Sequence, residues 1–187
     1  MKKDQAILAV FLAIVIISGG MVFVIKSSND MPPQTQRSSS AADPQAELRA
    51  RIATLEAQAA EEPENLSLLI NLGNAYYDIG DPAKSVEYYE RSIKIRPDNP
   101  HVLVDCGSMY RELGQPRKAL ELFERAIAID PEFPQAYFNK GTVLRMELGD
   151  RVGAAAAWRR YLQLEPKVDP QIRELLISEI EAASDAQ

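Results

Sequence analysis

The chain has 187 residues, of which 46% are hydrophobic and 26% charged, and it carries a net charge of -6 with one cysteine and one histidine. This profile excludes a collagen, a wholly disordered chain and a disulfide scaffold. One histidine and one cysteine cannot build a four-ligand zinc site or an iron-sulfur cluster, and a catalytic triad would have to use His101. The inventory disfavours an enzyme, and we predict no catalytic residue, metal or cofactor.

The first segment in chain order is an uncharged apolar run of twenty residues, 6–25. At about 1.5 Å per residue it would span roughly 30 Å, the thickness of the hydrocarbon core of a bilayer. We therefore expect a signal anchor over 1–26; a cleavable signal peptide is the alternative, because Lys2 and Lys3 form a basic start. Their charge predicts an amino terminus on the cytoplasmic side. The expected location is a single-pass protein of a bacterial inner membrane with its folded part in the periplasm.

A linker and then a folded region follow. Residues 27–44 are rich in Ser, Pro and Gln, which is typical of a flexible tether. The folded region, 45–187, carries 17 basic and 24 acidic residues without a basic stripe. Nucleic acid is therefore not an expected partner.

The folded region opens with a predicted helix over about 45–61. Leu48, Ile52 and Leu55 share one face of it, and Pro63 follows its end. We interpret this helix as an N-terminal half-unit that packs on the next unit. A coiled coil is the alternative, although barely two heptads are present.

Glycine and proline then recur at intervals of 34 or 35 residues. The three tracks are Gly73, Gly107 and Gly141; Gly80, Gly114 and Gly149; and Pro63, Pro97, Pro131 and Pro166. They divide the chain into units 66–99, 100–133 and 134–168, the last with one extra residue. Within a unit, Gly80 is expected to end one helix and Pro82 to open the next, and Asp150 is the predicted N-cap of the corresponding helix in the third unit.

A glycine inside a helix costs about 1 kcal/mol against alanine, so the first track predicts close approach of a partner helix. The aromatic residues Tyr89, Phe123 and Trp158 are expected to fill gaps between neighbouring units. After the third unit, Asp169 and Pro170 predict the start of a capping helix, 169–183.

The period and its residues resemble the tetratricopeptide repeat, a helix-turn-helix unit. The second unit matches that pattern at Leu103, Gly107, Tyr110, Gly114, Ala119, Phe123, Ala126 and Pro131. The first unit has Ser85 and Ser92 where alanine is usual. The resemblance covers 103 of 187 residues. It implies an all-α, right-handed solenoid of three repeats with the half-unit and the capping helix at its ends.

The resemblance also implies a concave face, built from the first helix of each unit, that binds a protein or peptide partner. We call the corresponding positions the groove residues: Ile70, Asn71, Asn74, Tyr77, Val104, Asp105, Ser108, Arg111, Phe138, Asn139, Arg145 and Met146. Apolar contact is expected from Ile70, Val104, Phe138 and Met146. Asn71, Asp105 and Asn139 could bond a peptide backbone, and Arg111 and Arg145 could hold an acidic group; a structural or merely solvated role is the alternative for these polar positions and for Tyr77.

Two kinds of motif are missing from the sequence. Chaperone-binding members of the family hold a terminal carboxylate with Lys and Arg, and of that clamp only Asn74 is present here. Enzyme fingerprints such as GxxxxGK, HExxH and GxSxG are also missing.

These observations favour an anchored adaptor. Its layout is similar to that of periplasmic tetratricopeptide factors of c-type cytochrome maturation. The alternative is a self-assembling scaffold, in which 45–61 of one molecule docks in the groove of another.

Overall fold

The computed structural model describes residues 43–185, and this range consists of helices joined by short loops, without strands. The helices are α1 (Pro44–Glu61), α2 (Leu66–Asp78), α3 (Pro82–Ile95), α4 (Pro100–Glu112), α5 (Pro116–Ile129), α6 (Pro134–Met146), α7 (Arg151–Leu164) and α8 (Pro170–Ser184). The predicted all-α architecture is confirmed.

Helices that are consecutive in sequence pack on each other. They form three pairs, α2 with α3, α4 with α5 and α6 with α7, and α1 and α8 flank the array. The first helices α4 and α6 also touch directly. Contacts therefore run between neighbouring units, as in a solenoid.

The turn inside each of the first two units closes in the same way. Gly80 has a φ of 79°, in the left-handed region that glycine adopts at no steric cost. Its N–H donates to the carbonyl of Tyr77 at 3.0 Å, and the N–H of Asp81 donates to the carbonyl of Tyr76 at 2.9 Å. This Schellman pattern repeats at Gly114.

The third turn is one residue longer. Gly149 has a φ of 72°, and the N–H of Asp150 donates to the carbonyl of Leu144 at 2.8 Å. The Asp150 carboxylate accepts from the N–H of Gly153 at 2.8 Å, which confirms the predicted N-cap. The extra residue of the third unit is thus accommodated before α7 begins.

Within each unit an aromatic ring lies against a helical glycine. A Cβ atom on Gly73 would come within 2.5 Å of two ring carbons of Tyr89, and one on Gly107 within 2.5 Å of the Phe123 ring. The three pairs are Gly73 with Tyr89, Gly107 with Phe123, and Gly141 with Trp158. The close approach of helices predicted from the glycines is confirmed. Each ring, however, packs on the glycine of its own unit and does not only fill the gap to the neighbouring unit.

The two serines of the first unit are buried and hydrogen-bonded. Ser85 donates from its hydroxyl to the carbonyl of Gly73 at 2.9 Å, and Ser92 donates to the carbonyl of Tyr89 at 2.8 Å. Because both hydroxyls have acceptors, serine replaces alanine here without leaving a buried polar group unpaired.

Helix α1 packs on the first unit, as its apolar stripe predicted. Ile52 and Ala59 are buried. The Glu56 carboxylate accepts from the hydroxyls of Tyr76 at 2.7 Å and Tyr88 at 3.3 Å, whose rings stack at 5.6 Å. These contacts hold α1 within its own chain.

Helix α8 covers the other end of the array. Asp169 caps it by accepting from the N–H groups of Gln171 and Ile172 at 2.8 and 3.3 Å. Leu176 is buried in a cluster with Trp158. The large indole of the last unit is thereby shielded from water.

The predicted location in a membrane needs correction. Among residues 43–185, no helix combines the length and the apolar character needed to cross a bilayer. These helices therefore give no support to the predicted single-pass inner-membrane location with periplasmic repeats. The predicted anchor, 1–26 with its span 6–25, lies outside the described residues, as does the predicted linker up to residue 42.

Candidate functional site

The groove residues lie on α2, α4 and α6, the first helices of the three units. Asn65 caps α2 by accepting from the N–H groups of Ser67 and Leu68, and Asn99 caps α4 in the same way. At the corresponding position before α6 the chain has Phe133, which makes no side-chain cap bond. The third unit therefore presents an aromatic ring where the others present a cap.

One predicted groove residue is not accessible to a partner. Val104 is fully buried and belongs to the central core, which it shares with Met109 and Phe123. Helix α4 packs on α3, α5 and α6, and this position is covered. Ile70, which packs at the edge of the same core, and Met146 are half-buried.

Both groove arginines are paired within the chain. Arg111 donates from Nε to Oε1 of Glu147 at 2.7 Å, and Arg145 donates from Nε to Oε2 of Glu179 at 2.5 Å. The acidic group that these arginines were expected to take from a ligand is thus supplied by the protein itself. Their charge on the candidate face is neutralised.

A first cavity lies between α2, α3 and α4, and we call it the acidic cavity. It has a volume of about 360 Å³ and is lined by Asn74, Tyr77, Asp78, Tyr89 and Asp105. Tyr89 donates from its hydroxyl to Oδ1 of Asn74 at 2.7 Å, while the Tyr77 side chain is 50% exposed. Burial raises the pKa of Asp105 above its ordinary value, and the opposing influence of His101 is smaller.

A second cavity lies where α6 and α7 meet the loop before α6, and we call it the aromatic cavity. It has a volume of about 340 Å³ and is lined by Phe133, Pro134, Gln135, Phe138, Tyr161 and Glu165. The rings of Phe138 and Tyr161 are 5.1 Å apart, and His101 meets the Phe133 ring edge-on at 4.6 Å. Its walls are therefore largely apolar.

The remaining polar groove residues differ in how free they are to meet a partner. Asn71 is exposed and Asn139 is half-buried. Ser108 donates its hydroxyl to the carbonyl of Val104 at 2.9 Å, within its own helix. The two asparagines are thus the better candidates for contact with a peptide backbone.

Sequence reasoning missed three aromatic residues that line the cavities. Tyr89 and Tyr161 lie on second helices, which the family pattern assigns to packing and not to the groove. Phe133 had a signal in the sequence, because it replaces the asparagine found at 65 and 99 in the other units.

The cysteine and the other titratable groups of the described residues form no metal centre. No group of three or more His, Cys, Asp or Glu side chains in this range could hold an ion. Cys106 is fully buried, and that burial raises the pKa of its thiol to about 12. A protonated thiol is a poor nucleophile and a poor ligand.

The family models for the tetratricopeptide repeat match residues 64–132 and 107–169. Together these segments make up more than half of the chain. No curated protein matches it.

Several solved structures are similar in fold. A crystal structure of the MamA protein has a TM-score of 0.68 and 22% identity, over 75% of this chain and 73% of that one. The first repeat domain of Spaghetti (RPAP3), bound to the HSP90 peptide SRMEEVD, has a TM-score of 0.56 and 24% identity, over 65% and 91%. The Yersinia enterocolitica secretion chaperone SycD, in complex with a peptide of the translocator YopD, has a TM-score of 0.56 and 18% identity, over 64% and 92%.

Proposed function

Because the chain belongs to the tetratricopeptide repeat family, we propose that it is a protein-interaction adaptor that binds an extended segment of a partner protein. The segment lies along the groove residues of α2, α4 and α6. The observation that carries the proposal is the aromatic cavity, a preformed apolar site lined in part by the groove residue Phe138.

The aromatic cavity supplies the main anchor for the partner. Its volume of about 340 Å³ accommodates one large apolar side chain, which packs against the rings of Phe138 and Tyr161. Burial of such a side chain contributes about 1.5–3 kcal/mol. Because the two rings already pack on each other, little ordering is needed when the partner arrives.

Asparagine side chains supply the contacts with the partner's main chain. Asn71 and Asn139 occupy equivalent positions of α2 and α6, 68 residues apart in the sequence. An amide both donates and accepts, so it can bond the backbone of an extended peptide without reading its side chains.

Relatives in fold support this kind of activity. The RPAP3 domain was solved with an HSP90 peptide and SycD with a YopD peptide. A client in c-type cytochrome maturation, the instance that the sequence resemblance implies, would be recognised through the same groove.

The self-assembling scaffold is the weaker candidate. It requires α1 of one molecule to leave its own chain and dock in another groove. That helix is already tied to the first unit through Glu56, which accepts from Tyr76 and Tyr88.

Selection of peptides from a random display library by the full-length chain tests the adaptor. Phe138→Ala combined with Asn139→Ala should lower recovery about tenfold or more, because an apolar anchor and a backbone contact are lost together. Val152→Ala is the matched control, since Val152 is an exposed apolar residue of α7, 49% accessible. Circular dichroism should show equal helicity for all three chains. Equal recovery by the double variant and the control would reject the groove.

A further inference from the structure

We propose that the partner segment carries a lysine or arginine side chain, which enters the acidic cavity between Asp78 and Asp105. This inference rests on the proposed function and specifies what the groove recognises. The geometry of the cavity and the charge balance of the face argue for it independently.

The concave face, built from the first helix of each unit, has an excess of unpaired negative charge. Its basic groove residues are Arg111 and Arg145, and each is already bonded to a glutamate of the same chain. Asp78 and Asp105 line the acidic cavity, and neither is in a salt bridge with another of the residues 43–185. The face therefore offers uncompensated carboxylates and no uncompensated guanidinium.

The position of Asp105 makes a cationic occupant favourable. Its side chain is half-buried on α4, where it has lost part of its hydration. An ionised carboxylate in such a place is destabilised until an opposite charge or a hydrogen-bond donor reaches it. Its neighbours in the cavity include a second carboxylate, that of Asp78, which adds to the demand for a positive charge.

Two tyrosine rings give the cavity its shape. Tyr89 is fixed by packing on Gly73 and by its hydrogen bond to Asn74, so it forms a rigid wall. Tyr77 stands at the mouth with half of its side chain in solvent. Lysine and arginine have an apolar stem that can lie along such rings and a charged head that can reach the carboxylates beyond them.

The same arrangement disfavours an acidic peptide. The RPAP3 domain was solved with SRMEEVD, which has three acidic residues in its last four. In the present chain such a peptide would meet Asp78 and Asp105 and find both arginines occupied. Repulsion of like charges therefore adds to the selectivity.

The test compares the peptides recovered by display on the full-length chain and on its variants. With the native sequence, Lys and Arg should be enriched about fivefold at one position relative to the library, and Asp and Glu depleted. Asp78→Asn combined with Asp105→Asn should abolish that enrichment, and the peptides that are still recovered should keep the large apolar side chain selected by the aromatic cavity. Glu174→Gln combined with Glu181→Gln is the charge-matched control on the exposed surface of α8 and should retain the enrichment.

A second variant guards against misfolding of the first. Tyr77 is half exposed, so Tyr77→Ala should keep the fold and reduce the preference for Lys and Arg severalfold.

A labelled SRMEEVD peptide should bind the native chain no better than a scrambled sequence. Recovery of peptides without a basic preference, or a preference that survives in the aspartate and Tyr77 variants, overturns the inference but not the adaptor. Recovery of no peptide at all rejects both.

Discussion

Arg145 on α6 donates from Nε to Oε2 of Glu179 on α8, at a distance of 2.5 Å. The two side chains are only 20% and 15% exposed, so water screens this pair less than a typical surface pair. The bond fastens the capping helix to the third unit. It also removes a positive charge from the candidate groove.

Glu179→Gln should therefore have two effects. The free energy of unfolding should fall by about 1 kcal/mol, because the charge-assisted bond is weakened. The released charge of Arg145 should lower the enrichment of basic peptides. Urea denaturation and display selection measure the two effects. Glu87→Gln is the control: it removes the partner of Lys84 in an exposed pair and should leave the free energy of unfolding nearly unchanged.

Gly107→Ala should destabilise the chain by about 1–3 kcal/mol, because the new Cβ would overlap the Phe123 ring. At an ordinary position in a helix the same change stabilises by up to about 1 kcal/mol, so the sign itself is diagnostic. Thermal melting of the variant measures the change. Phe123→Leu in the Gly107→Ala background should recover part of the loss, since a smaller side chain relieves the overlap. A melting temperature at or above that of the native chain would contradict the packing of helices at the glycine track.

Asp105→Asn should stabilise the chain at neutral pH. Folding raises the pKa of the Asp105 carboxyl. Such a group stabilises the folded state at a pH below its pKa in the unfolded chain. This stabilisation is lost as the pH rises through its pKa in the folded chain. The ionised Asp105 is therefore a cost at pH 7, which asparagine removes. Urea titrations of both chains between pH 3 and pH 8 should show the gain at neutral pH and its disappearance in acid. A variant less stable than the native chain at pH 7 would show that Asp105 has a compensating partner after all.

Cys106 should be inert in the folded chain. Its side chain is fully buried and burial raises the pKa of the thiol to about 12, so at pH 8 it is neither accessible nor ionised. Reaction with a disulfide reagent should be slow in buffer and immediate in urea. Because the chain has a single cysteine, the labelling rate in buffer reports the opening of the central unit. Labelling in buffer as fast as in urea would contradict the burial of Cys106.

The repeat was readable from the sequence because its signals are local. Glycine and proline tracks mark the turns and close contacts, and the structure has a positive φ at Gly80 and an aromatic ring on Gly107. These features depend on backbone chemistry that holds in any context. They could therefore be assigned without coordinates.

The groove was less predictable because it depends on contacts between units. The pairing of Arg111 with Glu147 joins residues 36 positions apart on different units, and no helical spacing reveals it. Val104 is buried in the central core, whereas the family pattern treats every unit alike. The wall of the acidic cavity includes Tyr89, which the sequence predicts only as a packing residue between units.

The longer third turn shows where the chain can take up an extra residue without changing how the helices pack. Tyr89 follows Gly73 and Phe123 follows Gly107 by 16 residues each, whereas Trp158 follows Gly141 by 17, yet the contact between ring and glycine is kept. The added residue is taken up at Gly149, before Asp150 restarts the helix. An insertion in this loop is therefore accommodated before α7 begins. Evolution can vary the length of the loop while the packing of the helices is kept.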